Sequence, residues 1–136
     1  MLLTEEQRMI RDMARTFSRE QLAPNAGDWD RRAEVPLGAL SEMGKLGLMG
    51  MCVPGEWGGA GTDFVSYVLA LQEIAGGDGG ISTIMSVNNS PYCAAILKYG
   101  TEDQKRRFLV PVASGKAHGA FLLTEPHAGS DASAIK

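Results

Sequence analysis

The sequence is poor in the residues that hold metals and disulfides. Its 136 residues include only two cysteines and two histidines. Cys52 and Cys93 are far apart, and neither belongs to the paired spacing of a metal motif. We therefore expect no metal site and no disulfide framework, and two isolated thiols suit a reduced cytoplasm.

The sequence also lacks a long apolar run. No stretch approaches the ~20 apolar residues that a helix needs to cross a bilayer. The first residues, Met1 to Glu6, lack the charged start and apolar core of a signal peptide. These absences predict a cytoplasmic protein with no membrane partner.

Positive charge is scarce as well. The formal net charge is -3, and Lys105-Arg106-Arg107 is the only tight basic run. A nucleic-acid-binding domain needs a basic field that attracts phosphates. The composition therefore argues against a nucleic-acid partner, and we interpret the basic run as a solvated helix face.

Glycine is abundant, with 17 residues, but its clusters form no nucleotide-binding motif. The clusters at 55–61 and 76–80 match no P-loop pattern, and neither follows a strand as the dinucleotide fingerprint requires. We interpret both as tight connections between helices.

Apolar residues at helical spacing dominate the chain up to residue 114. Capping boxes at Thr4/Gln7 and Thr101/Gln104 predict two helix starts, and Thr62 is a third candidate cap. Helices are predicted at 5–22, around Trp29, and at 37–46, 62–75, 81–99 and 101–114. Since 44% of the residues are hydrophobic, the chain can form one core. Together with the predicted helices, this predicts an all-α domain.

The predicted helix at 81–99 contains polar residues in an apolar setting. Asn88 and Asn89 lie just before Pro91. Because buried amides need hydrogen-bond partners, we predict that they satisfy backbone groups or bridge helices near a kink.

A different pattern begins at Gly119. Ala120 to Leu123 are apolar and lie between Gly and Pro residues, which predicts a short buried strand that ends before Pro126. The loop at 124–131 offers hydroxyls, a glycine and exposed N–H groups, which could cradle a flat or phosphorylated ligand. An ordinary Pro/Gly/Ser/Asp turn has the same composition, so residue types alone leave both interpretations open.

The run Leu123-Thr124-Glu125-Pro126-His127-Ala128-Gly129-Ser130-Asp131 resembles the flavin-contacting signature of acyl-CoA dehydrogenases, with His127 at its variable position. Ile84-Met85-Ser86-Val87-Asn88-Asn89-Ser90 resembles the short-chain branch of that family. The resemblance covers essentially the whole chain. It implies an amino-terminal helical bundle domain at 1–117. It also implies that 118–136 begins a middle β-domain, whose further strands a longer chain would supply.

The resemblance implies FAD as cofactor and acyl-CoA as substrate, which is oxidised to the trans-2-enoyl-CoA. In the family a carboxylate base removes the α-proton and the β-hydrogen passes to the flavin as hydride. That base is a glutamate of the carboxy-terminal domain, so no catalytic residue is expected in this chain. Electron-transfer flavoprotein is the implied acceptor, and a homo-oligomer is the implied assembly.

The resemblance also assigns binding residues. The cofactor-binding positions are Phe121, Leu122, Leu123, Thr124, Glu125, Pro126, His127, Ala128, Gly129 and Ser130. The substrate-binding positions are Ser130, Ile84, Met85 and Val87, because the family's corresponding helix lines the acyl cavity.

The catalytic base and the further domains that the resemblance implies are not part of these 136 residues, which affects the activity expected of the chain alone. We expect the 136-residue chain, as a fragment or truncated product, to be inactive by itself. The alternative function is a noncatalytic helical interaction module, or a split or degenerate relative without flavin.

Overall fold

Helices form most of the chain between residues 5 and 113. The computed structural model describes residues 2–136. The α-helices are α1 (Glu5–Phe17), α2 (Ala26–Arg32), α3 (Leu37–Lys45), α4 (Phe64–Gly77), α5 (Gly79–Val87), α6 (Ala94–Tyr99), α7 (Glu102–Gln104) and α8 (Val110–Ala113). The π-helical segments are Ser18–Leu22, Asn88–Cys93 and Lys105–Leu109, and the 3-10 turns are Gly55–Trp57 and Ala132–Ala134. The predicted all-α class is confirmed.

The capping box at Thr4 is present and begins α1. The Gln7 N–H donates to the Thr4 hydroxyl oxygen at 3.1 Å, and the Thr4 N–H donates to the Gln7 side-chain oxygen at 3.0 Å. The same exchange occurs between Thr101 and Gln104. Both helix starts are therefore specified by residues three positions apart, which explains why the sequence revealed them.

The expected cap at Thr62 is wrong by one residue. Asp63 caps α4, and its Oδ1 accepts hydrogen bonds from the N–H groups of Val65 at 2.8 Å and Ser66 at 3.0 Å. The Thr62 hydroxyl instead donates to the carbonyl oxygen of Met51 at 2.9 Å. The Thr62 hydroxyl therefore stabilises the preceding loop, and the Asp63 carboxylate caps the N-terminus of α4.

The main core lies between α1, α3, α4 and α5. Its buried side chains are Ala14, Phe17, Leu22, Leu40, Met43, Leu48, Met49, Met51, Tyr67, Ala70, Ile74, Ile81 and Met85. At the edge of this core, the Arg15 guanidinium donates to both carboxylate oxygens of Glu73, at 2.7 and 3.1 Å. The hydrogen bond and charge of Arg15 lower the pKa of Glu73, and this bidentate pair joins α1 to α4.

The predicted helix at 81–99 is divided at Ser90. The backbone of Ser90, which immediately precedes Pro91, is non-helical, with φ -150° and ψ 117°. A proline disfavours the helical conformation of the residue before it. The predicted kink is therefore confirmed, and it separates α5 from α6.

No strand forms at Ala120–Leu123, although the sequence predicted one there. In the described part of the chain the only β-type pairing of this region is an isolated bridge between Glu125 and Ala128. A strand needs a neighbouring strand to hydrogen-bond its backbone. Residues 2–136 supply no such neighbour, so residues 120–123 remain irregular.

Two further expectations concern the described residues as a whole. Among residues 2–136, no helix is both long and apolar enough to cross a bilayer. Within the same residues, no three His, Cys, Asp or Glu side chains come together as metal ligands.

The α3 helix offers a matched test of core packing. Leu40 is 1% exposed, whereas Leu37, in the same helix, is 64% exposed. We predict that Leu40→Ala lowers the free energy of unfolding by about 2–5 kcal/mol, because it leaves a cavity. Leu37→Ala should stay within about 0.5 kcal/mol of the wild type. Chemical denaturation of both variants measures this, and equal losses would contradict the assigned core.

The Asp63 cap predicts a pH effect on stability. Backbone and side-chain hydrogen bonds from Ser66 lower the pKa of Asp63 in the folded protein. A lowered pKa stabilises the fold above the unfolded-state value of about 3.9 and loses this effect as the pH falls through the folded-state pKa. Asp63→Ala should therefore lower the melting temperature at pH 7, and its difference from the wild type should shrink below about pH 4.

Thermal unfolding of the wild type and the variant, measured by circular dichroism at pH 7 and at pH 3, checks this effect. Asp30→Ala, a substitution of an exposed aspartate on α2, is the control and should show no such change in the difference. A gap between Asp63→Ala and wild type that stays constant down to pH 3 would contradict the role of the charge.

Candidate functional site

A tight turn lies at the centre of the segment 119–131. The N–H of Glu125 donates to the carbonyl oxygen of Ala128 at 2.9 Å, and the N–H of Ala128 donates to that of Glu125 at 3.1 Å. Ala128 is 5% exposed. The turn therefore has a buried side at Ala128, and Pro126 and His127 form its exposed tip.

The two hydroxyls of this segment lie on either side of the turn. Thr124 and Ser130 are both exposed, and within residues 2–136 neither hydroxyl has a hydrogen-bond partner. A Cβ atom built on Gly129 would lie 3.5 Å from the Thr124 methyl group and near nothing else in this part of the structure. The surface at Gly129 is thus open, and a ligand can approach its backbone.

Backbone donors accompany these hydroxyls. In the described chain, the N–H groups of residues 121–124, 129 and 130 donate to no carbonyl or side-chain oxygen. Such a set of N–H and O–H donors suits a ligand rich in acceptors, such as ring carbonyls or phosphate oxygens. The residues present therefore fit one edge of a flavin nucleotide.

The apolar part of the segment is also exposed. Phe121, Leu122 and Leu123 are 52%, 93% and 47% exposed. Burying such side chains is favourable by about 1.5–3 kcal/mol each. This stretch is therefore a surface suited to contact with a flat apolar ring or with further protein.

The Glu125 side chain contacts the tip of the turn and the last residue of the described chain. One of its carboxylate oxygens is 3.3 Å from Nε2 of His127 and accepts a hydrogen bond from the Lys136 N–H at 3.5 Å. These contacts connect the turn with the end of the described chain. His127 has no partner besides Glu125 in the described residues, which agrees with its place at the variable position of the signature.

The three helix residues predicted to contact substrate lie in different surroundings. Met85 is fully buried in the main core. Ile84 lines an open cavity of about 350 Å³ together with Trp29 and Val35. Val87 lines a separate groove of about 420 Å³ with α4 residues that include Leu71. The structure thus leaves Ile84 and Val87 partly exposed in two separate cavities, whereas Met85 is buried.

The two cysteines are not activated nucleophiles. Burial raises the pKa of the Cys93 thiol to about 12, and burial also raises that of Cys52. A reactive cysteine needs a lowered pKa, which favours the thiolate. Neither thiol therefore has the lowered pKa of a reactive cysteine.

Asn88 makes a contact that sequence reasoning missed. Its Oδ1 accepts a hydrogen bond from the Gly119 N–H at 2.8 Å. The helix that carries Ile84 and Val87 is thereby joined to the start of segment 119–131. The only signal in the sequence was an amide in an apolar helix, which predicts a partner but does not identify it.

The sequence of this helical unit matches a known family model. The model described as "Acyl-CoA dehydrogenase, N-terminal domain" matches residues 4–116. The chain belongs to the acyl-CoA dehydrogenase family. Its helical fold is that of the family's amino-terminal domain.

Known acyl-CoA dehydrogenases resemble the chain along its whole length. An acyl-CoA dehydrogenase of Bacillus subtilis (strain 168) is 45% identical over 136 residues, which are 100% of this chain and 36% of the relative. The mitochondrial short-chain specific acyl-CoA dehydrogenase of Bos taurus is 44% identical over 132 residues, which are 97% of this chain and 32% of the relative. The chain therefore spans about a third of the length of these curated relatives.

A solved acyl-CoA dehydrogenase-type structure agrees in fold. Glutaryl-CoA dehydrogenase from Mycobacterium smegmatis in complex with FADH2 superimposes with a TM-score of 0.91 at 39% identity. The superposition covers 98% of this chain and 34% of that one. The agreement extends beyond the residues of the family model into the segment that follows α8.

Proposed function

We propose that the chain is the amino-terminal part of an FAD-dependent acyl-CoA dehydrogenase that oxidises a short-chain acyl-CoA to the trans-2-enoyl-CoA. The observation that carries this proposal is the exposed donor set of residues 121–124, 129 and 130, joined through Asn88 to the helix that carries Ile84 and Val87. Family membership and the FADH2 complex of a relative support it. The chain's own part is to bind and orient.

The proposed division of the chain follows its change of structure. Residues 1–117 form the helical domain, and residues 118–136 begin the middle β-domain. In the whole protein the exposed residues Phe121 to Leu123 would pair with further strands. The same partner would bury their apolar side chains.

The cofactor-binding residues would act as donors and as a platform. FAD, when bound, supplies the acceptor for the substrate's hydride. The Thr124 hydroxyl and neighbouring N–H groups would donate to ring acceptors, and Gly129 would allow a close backbone approach. Ser130 would donate to the pyrophosphate and also contact the acyl-CoA. The full proposed set is Phe121, Leu122, Leu123, Thr124, Glu125, Pro126, His127, Ala128, Gly129 and Ser130.

No residue of this chain is proposed as the catalytic base. We propose that Glu125 is structural, and its contacts with His127 and the Lys136 N–H support this. A base must lie within hydrogen-bond reach of the proton that it removes. We propose that it comes from the carboxy-terminal domain of the whole protein.

The short-chain preference is a separate part of the proposal. The bovine relative is named as short-chain specific, and the segment around Ile84, Met85 and Val87 resembles that branch. The proposed substrate-binding residues of this helix are Ile84, Met85 and Val87, of which Ile84 and Val87 line separate cavities and Met85 is buried in the core. Ser130 would contact the substrate from the other side.

The partners and setting of the whole protein are also proposals. Electron-transfer flavoprotein would accept the electrons, in keeping with the family. The enzyme would be a cytoplasmic homo-oligomer. Dehydrogenase activity with purified electron-transfer flavoprotein and the mass of the assembly in solution test these points.

The hydroxyl residues give the central test of the proposal. In the full-length protein that carries this chain, Thr124→Val and Ser130→Ala should each weaken FAD retention or turnover. Each variant leaves a buried polar partner unpaired in the loaded enzyme, which costs about 1–3 kcal/mol. Flavin absorbance per protein and steady-state kinetics with acyl-CoA measure the effect.

Matched substitutions elsewhere serve as controls for this test. Thr16→Val and Ser41→Ala change exposed hydroxyl residues on α1 and α3 and should leave flavin content unchanged. His127→Gly should matter less than the two site variants. Wild-type flavin content and kinetics in both Thr124→Val and Ser130→Ala would overturn their assignment. A wild-type protein that binds no FAD would favour the noncatalytic helical module instead.

Substrate length gives an independent prediction. We expect kcat/KM to be highest for short acyl groups and to fall as the chain lengthens. One methylene in an apolar pocket is worth about 1–3 kcal/mol, so the fall should be graded. A series of acyl-CoA substrates from four carbons upward measures it, and a higher kcat/KM for long chains would contradict it.

A further inference from the structure

Gly119 lies where the helical domain meets the proposed flavin-binding segment, and its N–H is held by a buried side chain. Asn88 is 0% exposed, and its Oδ1 accepts the Gly119 N–H at 2.8 Å. The Asn88 amide nitrogen donates to the carbonyl oxygens of Met49 at 2.7 Å and Val112 at 3.3 Å. Both amide donors are therefore in use, and these contacts orient Oδ1 toward Gly119.

The ring of Tyr92 limits the position of Gly119 from another side. A Cβ atom built on Gly119 would lie 2.4 Å from Cγ of Tyr92 and 2.7 and 2.8 Å from its two Cδ atoms. Real Cβ atoms do not approach carbon so closely, so only glycine fits here. Tyr92 itself packs against a second buried cluster that includes Val53 and Leu109. The ring is thus supported from behind.

Both contacts come from one short stretch of chain. Asn88 and Tyr92 belong to the π-helical segment Asn88–Cys93 that directly follows α5. Gly119 lies two residues before Phe121, the first proposed flavin contact. The helix with Ile84 and Val87 and the flavin segment therefore share one point of attachment.

We infer that Asn88 and Tyr92 are positioning residues, which hold Gly119 and thereby set the flavin-binding segment against the helix that lines the acyl pocket. We call Asn88, Tyr92 and Gly119 the Gly119 clamp. This inference rests on the proposed function, because the clamp acts on flavin and substrate only through the segment that it holds. Misplacement by about 1 Å can cost an enzyme about 100-fold in rate.

Asn89 separates positioning from simple stabilisation. It is 8% exposed, and its amide nitrogen donates to the carbonyl oxygens of Leu48 at 2.8 Å and Met85 at 3.0 Å. Its Oδ1 accepts the Met51 N–H at 2.7 Å. Asn89 thus makes three side-chain hydrogen bonds, as many as its neighbour Asn88, but none to Gly119.

The first experiment substitutes Gly119, which leaves the helical core untouched. In the full-length protein, Gly119→Ala should weaken FAD binding by about tenfold, since the new methyl group displaces the segment from Tyr92 and Asn88. The melting temperature of the helices should change little. Gly38→Ala is the control, because a Cβ atom at Gly38 meets nothing within 4 Å.

A second variant tests the cause of that loss. Tyr92→Ala removes the ring that a Cβ atom at position 119 would strike. The double variant Gly119→Ala/Tyr92→Ala should therefore bind FAD more tightly than Gly119→Ala alone. If each substitution only destabilised the fold, the two losses of FAD binding would add. The double variant would then bind FAD more weakly than Gly119→Ala alone.

The asparagine pair completes the test. Asn88→Ala and Asn89→Ala should both lower the melting temperature, but only Asn88→Ala should weaken FAD binding and deprotect the Gly119 amide in hydrogen exchange. Hydrogen exchange can be measured without flavin. It therefore reports on the clamp even where an asparagine variant loses the cofactor for other reasons.

The outcomes distinguish the two claims. A wild-type protein that binds no FAD overturns the proposed function, and with it the clamp's role toward flavin. A wild-type protein that binds FAD, with unchanged binding in Gly119→Ala, overturns the clamp alone. Equal effects of Asn88→Ala and Asn89→Ala on Gly119 exchange would also overturn it.

Discussion

The buried loop that follows α3 imposes the constraint on which the rest of the structure depends. Leu48, Met49 and Met51 are almost completely buried in irregular backbone, so helices cannot satisfy their polar groups. Asn88 and Asn89 supply the missing partners, from the segment just after α5. Because an unsatisfied buried group costs about 1–3 kcal/mol, the loop and this segment can only be stable together.

The need of buried polar groups for hydrogen-bond partners also accounts for the link between the core and the candidate site. Asn88 uses its amide nitrogen for two buried carbonyl groups, and its oxygen remains for one donor. That donor is the Gly119 N–H. A residue needed for packing thus also determines where the segment 119–131 leaves the helices. Beyond this point most of the segment is exposed and has free donors, whereas among residues 2–136 no buried side-chain N or O atom lacks a hydrogen-bond partner.

Local signals in the sequence predicted the helices well. The capping boxes at Thr4 and Thr101 and the break before Pro91 act within a few residues, so they can be read without a three-dimensional context. Gly47, with φ +76°, directly follows the C-cap residue of α3. The cap of α4 was misassigned because Thr62 is bonded to Met51, eleven residues away. The strand predicted at 120–123 does not form for a related reason, since a strand needs a paired neighbour and residues 2–136 supply none there.

The sequence by itself determined the helical class, most helix boundaries and the flavin-type motif, because periodicity, caps and a contiguous signature need no distant partner. It also indicated that Asn88 and Asn89 required partners. Only the tertiary structure decided which groups those were, that Met85 is buried in the core, and that Gly119 contacts Tyr92. Each of these depends on packing between residues far apart in the chain, and the spacing of residues along the sequence does not reveal which of them pack together.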